Sequence, residues 1–187
     1  EDLEALRDYL LSDGVEKIYY DTETTGLSWV EDELICISFS GRAGEGYVVP
    51  ILHNPGEGRL DLFPAWEGCL PEVIGLLKEI FGSGTPKCAH NHLFDLRMLE
   101  RDAKTQPYIS AVTAFGIKVN GELTDTELMH HAVAETLPHN MTTLLALFTD
   151  MPNYEAEIRA ASVNKKAMAK APNEVLWAYS AADADGL

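Results

Sequence analysis

The chain is short of positive charge. Against 30 Asp and Glu stand 14 Lys and Arg, a formal net charge of −16 at pH 7 over 187 residues. Such a surface is poorly suited to holding a polyanion by bulk charge, so any action on nucleic acid needs cations or a neighbouring domain to supply the missing charge. Cysteine is scarce as well. Cys36, Cys69 and Cys88 are odd in number, widely spaced and form no Cys-x-x-Cys pair. That pattern fits reduced thiols in a cytosolic compartment better than a disulfide framework or a zinc site. No run approaches the roughly 18 apolar residues of a membrane-spanning helix, and no basic-then-apolar leader is present, so neither a membrane nor secretion is expected.

The remaining composition is that of a globular protein, with 46 % apolar and 24 % charged residues. A chain of this length buries about 70 % of its unfolded surface and needs no staple to fold. It amounts to one domain, and it has neither internal repeats nor low-complexity runs. Beginning at Glu1 rather than methionine, and ending at Leu187 just after an apolar, helix-like run, it reads as a piece of something longer.

Apolar patterning predicts strands over Lys17–Asp21, Glu33–Ser40 and Gly46–Ile51. In the second, Ile35, Ile37 and Phe39 share one side; in the third, Pro50 marks an end or an edge. A loop rich in Pro, Gly and charge follows from His53 to Asp61. Pro71 opens a helix with Val73, Leu77, Ile80 and Phe81 on one face, closed by Gly82-Ser83-Gly84. Lys87–Ala89 reads as a brief buried strand leading into a helix over Asn91–Arg101. Helices are then expected from Asp125 through Ala134, over Thr142–Phe148, and from Pro172 or Asn173 onward. No element is assigned before Lys17. Three strands in meander order, then helix, strand, helix and a helical tail, predict an α/β domain with a mixed sheet.

Three acidic patterns carry chemistry. Asp21 and Glu23 lie two apart where an apolar strand ends, so their carboxylates face the same side. They repel unless a cation or shared proton intervenes, and hard oxygen donors suit magnesium or manganese. Asp-x-Glu also occurs at Asp2/Glu4 and Asp125/Glu127, but only Asp21/Glu23 closes a hydrophobic strand. Asn91 and Asp95 lie four apart at a helix start, where Asn91 is placed to cap the helix and Asp95 to face its positive end. Tyr179 and Asp183 share a face of the last helix with Leu176, and Ala178, Ala181, Ala182 and Ala184 let that helix sit close to a partner.

In this order the three patterns resemble the exonuclease motifs of the DEDD superfamily, in the subtype with tyrosine in its third motif. The phrases DTETTGL, AHNHLFDLRML, DTELMHHAV and YSAADAD are similar to the 3′–5′ proofreading domain of family A (polymerase I-type) DNA polymerases, from about Lys17 to the C-terminus. The resemblance implies a ribonuclease H-like fold, a mixed five-stranded sheet flanked by helices, over one exonuclease domain spanning 1–187. It implies that Asp21, Glu23, Asp95 and Asp183 bind two divalent ions, Mg2+ or Mn2+, and that Tyr179 orients the attacking water. Leu27 matches an apolar wedge against the terminal base, Asn91 a polar contact to the 3′ nucleotide, and Tyr154 an aromatic that stacks on substrate. The implied partners are the 3′ end of single-stranded DNA and a polymerase domain of the same parent chain. The implied state is a monomer in the cytoplasm of a bacterium or a phage-infected host. The excess acid is then expected away from the site, with only weak DNA binding by this piece alone.

Two other readings share the motifs: a free-standing exoribonuclease of the ribonuclease D type, and a catalytically inactive scaffold, which the intact acids and Tyr179 argue against. A zinc site built on His90, His92, His130 or His131 is set aside. His130 and His131 are adjacent on a helix and so are expected to point apart, and no partner recurs at ligand spacing. His90 and Asp95 fit the third-motif spacing of the histidine subtype, but they fall inside the second motif.

Overall fold

In the computed structural model the residues described are 1–56, 59–102, 106, 113–154, 158 and 165–187, with backbone alone at 165–167. Helix α1 (Asp2–Leu10) precedes strands β1 (Ile18–Thr24), β2 (Leu34–Ser40) and β3 (Tyr47–Pro50). A small hairpin, β4 (Leu52–His53) with β5 (Asp61–Leu62), leads to α2 (Leu70–Gly82). Then come β6 (Lys87–Ala89), α3 (His92–Leu99), β7 (Leu123–Asp125), α4 (Thr126–Val133), α5 (Met141–Phe148) and, after a 3-10 turn at Lys165–Lys170, α6 (Asn173–Asp185).

Five strands form one sheet in the order β3-β2-β1-β6-β7. The first three pair antiparallel, whereas β6 and β7 join parallel to β1. The sheet is therefore mixed, five-stranded and flanked by helices, as expected of a ribonuclease H-like fold. Pro50 ends β3 at the sheet's edge, where a missing N–H costs no ladder bond.

Side-chain size decides which helix covers which face. Tyr20 pairs with Phe39 and Thr22 with Ile37, so these residues share a face. On that side the Phe81 ring of α2 packs 5.2 Å from Tyr20 and 5.4 Å from Phe39, with Leu3 and Leu10 of α1 and Leu77 and Ile80 of α2 completing the core. Asp21 and Glu23 pair with Ser38 and Cys36 and face the other way. The alternation in β2 predicts one dry side, yet every residue of β2 is buried. Cys36, Ser38 and Ser40 on its second face are small enough for α6 to close over them, with Cys36 Sγ 3.6 Å from Ser180 Oγ. A Cβ on Gly46 would overlap the Ala181 carbonyl oxygen, so only glycine lets the approach to β3 pass this close beneath α6.

Helix α1, the β4–β5 hairpin and β7 are additions to the sequence reading. The two hairpin strands have two residues each and β7 has three, too few to show a period. Among the described residues no helix is long and apolar enough to cross a membrane.

Candidate active site

The acidic residues meet at the C-terminal end of β1. A ligand oxygen from each of Asp21, Glu23 and Asp183 lies within 4.8 Å of the others. They lie in a cleft of about 200 Å³ that Tyr179, Leu27 and Asn91 also line. A shift in strand register between Glu23 and Thr24 breaks the ladder beside the acids. Such bulges re-aim side chains at functional sites.

Asp95, from the first turn of α3, is buried next to this group rather than within it. Thr22 Oγ1 donates to Asp95 Oδ1 across 2.5 Å. Burial pushes the Asp95 carboxyl up to about 7, while the Thr22 hydroxyl and backbone N–H groups pull it back. The Asp21 carboxyl is driven well above the usual range, first by burial and then by repulsion from Asp95, Glu23 and Asp183. Carboxylates this close are costly as bare anions. The donor set is all hard oxygen, so the residues fit a divalent cation of the magnesium or manganese kind.

Two phenols converge on Asp183. Tyr154 Oη donates to its Oδ1 at 2.6 Å, and the Tyr154 ring packs against Tyr179 at 5.8 Å. Burial, then the charges of Asp183 and Glu23 and a hydrogen bond to Asp183, raise the Tyr179 phenol far above its ordinary value.

The cleft walls are built with care for position. Leu27, 71 % exposed, stands on a loop organised by Asp32, whose carboxylate accepts from Thr25 Oγ1 at 2.9 Å and from Ser28 N–H at 2.8 Å. Behind that loop the buried Arg101 donates to the carbonyls of Trp29 and Asp32 and to the Thr113 carbonyl and hydroxyl.

Asn91 corrects an expectation. It stands before α3 with left-handed backbone (φ 58°, ψ 47°), the one non-glycine at positive φ among the described residues, and its side chain makes no capping bond. The cap comes from Asp125 at the end of β7. Its Oδ1 accepts from Asn91 N–H and its Oδ2 from His92 N–H, both at 3.1 Å, while Oδ1 also accepts from Glu127 and Leu128 N–H of α4. One carboxylate thus starts two helices, and the Asn91 side chain is left to face the cleft.

His90, Phe94, Met141 and Met168 also line the cleft, beyond the residues the motifs point to. His90 and Phe94 flank the second motif and were within reach; Met141 and Met168 arrive from α5 and the 3-10 turn with no local signal. The histidines bring a second correction. His130 and His131 do not simply diverge: both reach His139, with nitrogen contacts of 2.8 and 2.9 Å. A chain of neutral imidazoles satisfies both contacts, since His139 can donate through one ring nitrogen and accept through the other.

A family model described as 3′–5′ exonuclease matches residues 1–187. The chain belongs to the 3′–5′ exonuclease family. No curated protein matches this exonuclease in sequence. Among solved structures it is similar to a variant of the catalytic core of RRP6 from Trypanosoma brucei, at 19 % identity and TM-score 0.59, covering 100 % of this chain and 42 % of that one. It is similar to Brucella melitensis NrnC with bound Mg2+, at 18 % identity and TM-score 0.57, covering 94 % of this chain and 69 % of that one. The POL domain of Pol1 from M. smegmatis, in complex with DNA primer-template and dNTP, matches at 12 % identity and TM-score 0.50, covering 98 % of this exonuclease and 25 % of that chain. At these identities the likeness is one of fold, and the chain spans under half the length of the RRP6 catalytic core and a quarter of the Pol1 chain.

Proposed function

We propose that this exonuclease hydrolyses nucleotides from the 3′ end of single-stranded or frayed DNA, as the proofreading domain of a DNA polymerase. The observation that carries the reading is the convergence of Asp21, Glu23 and Asp183 within 4.8 Å in an open cleft, with Asp95 buried beside them. These four residues would hold two divalent ions, Mg2+ or Mn2+. When bound, the pair supplies activation of the attacking water and stabilisation of the leaving oxygen.

The protein's own groups do the rest. Tyr179, a phenol with an ordinary pKa near 10, hydrogen-bonds and orients the water rather than taking its proton. Leu27, displayed on a pinned loop, wedges against the terminal base, and Asn91 contacts the 3′ nucleotide from the opposite wall. Base contacts of this kind accept any sequence, as removal of a misplaced nucleotide requires. With a net charge of −16 the domain grips DNA weakly by itself, so the duplex is held by the polymerase portion of a longer chain. Support for the polymerase setting comes from the phrases DTETTGL and YSAADAD.

The test is magnesium-dependent trimming of a 5′-labelled single strand, as DNA and as RNA of the same sequence. Stepwise 3′ shortening of DNA, abolished in Asp21→Ala, is the expected result. Preferential trimming of RNA would instead favour a ribonuclease D-like enzyme, and no trimming of either would favour a scaffold.

A further inference from the structure

The family resemblance makes Tyr154 an aromatic that stacks on substrate, yet its hydroxyl is directed into the acidic group. Its Oη lies 2.6 Å from Asp183 Oδ1 and its ring rests 5.8 Å from that of Tyr179, at 60°. Asp183 and Tyr179 share α6, whereas Tyr154 arrives from beyond α5, so the contact ties two separate stretches at one carboxylate. Charge-assisted hydrogen bonds of this length are among the stronger ones and fix a carboxylate's rotation.

We propose that Tyr154 is a positioning residue for metal binding: its phenol holds one oxygen of Asp183 so that the other faces Asp21 and Glu23. The proposal rests on the reading of the acids as a divalent-cation site. Two observations support it. Asp183 belongs to the three-carboxylate group, and a phenol donor to such a group orients it as outer partners orient metal ligands generally. A stacking role uses only the ring, whereas this contact uses the hydroxyl, so the two are separable by substitution.

The experiment is Mn2+ binding to the 187-residue chain without DNA, followed by electron paramagnetic resonance, in the parent chain, Tyr154→Phe, Tyr154→Leu and Asp21→Asn. Positioning predicts that Tyr154→Phe, which keeps the ring, weakens Mn2+ by about 10- to 100-fold with an unchanged thermal midpoint in EDTA. It also predicts a raised metal requirement for trimming and an unchanged KM for DNA. Parent-like Mn2+ binding in Tyr154→Phe, with KM for DNA raised only in Tyr154→Leu, would overturn the proposal in favour of stacking. If Asp21→Asn also binds Mn2+ like the parent, the cation site itself is wrong and the proposal falls with it. If Asp21→Asn loses Mn2+ while Tyr154→Phe does not, only the positioning role fails.

Discussion

Thr22 and Asp95 are joined by a 2.5 Å hydrogen bond, which ties the middle of the DTET strand end to the first turn of α3. Thr22 lies between Asp21 and Glu23 in sequence but faces the opposite side of β1, so it serves the acid those two cannot reach. Asp95 is thereby kept in place while buried.

Thr22→Val keeps the shape and removes the donor. Leaving a buried acceptor without its partner costs about 1–3 kcal/mol. Since the hydroxyl now holds the Asp95 carboxyl down against burial, its loss moves that group higher still. The expected outcome is a pH–rate profile displaced toward alkaline pH, restored by Thr22→Ser. A profile that does not move would separate Thr22 from the chemistry.

The pH dependence of stability has a definite sign. Asp21 and Asp95 both titrate above their unfolded values, Asp95 at about 7. Their protonated forms therefore favour the fold; this contribution is complete below the unfolded value near 4 and declines as pH rises, the Asp95 part being lost as pH passes through about 7. Thermal unfolding in EDTA should show a midpoint that falls between pH 5 and 8, and Mg2+ at pH 8 should raise it again by binding the folded form. A midpoint that rises over that range in EDTA contradicts the picture of crowded, unneutralised acids.

Asp125 carries more structural weight than its position at a short strand suggests. Asp125→Ala removes the cap from both α3 and α4, at about 1 kcal/mol for each. A loss of roughly 2 kcal/mol in denaturant unfolding is expected, with reduced trimming because Asn91 and Asp95 both follow from the start of α3. Asp125→Asn, which keeps the acceptor oxygen, should lose less. Equal losses in the two variants would point to charge rather than capping.

Much of this was legible in the sequence, for identifiable reasons. Strands β1 to β3 announce themselves through apolar alternation, and α2 through its Val73, Leu77, Ile80 and Phe81 face. Asp21 pairs with Glu23, and Tyr179 with Asp183, because side-chain spacing on a strand and on a helix is fixed by backbone geometry; that the two pairs meet is the work of α6 packing over β1 and β2. The hidden parts depend on contacts between distant residues. Cys36, Ser38 and Ser40 look like a solvent face by polarity, but their small size is what α6 uses. The αL backbone of Asn91 depends on a carboxylate 34 residues away. The hydroxyl of Tyr154 bears on Asp183 because the fold brings the stretch after α5 against α6.

The tight passage beneath α6 at Gly46 gives the outer strand a gauge-like role. Tyr179 and Asp183 flank Ala181 along that helix, so its depth over the sheet sets how far both reach toward Asp21. A methyl group at Gly46 would lift the helix like a shim, and the catalytic pocket would register a change made on the rim of the molecule.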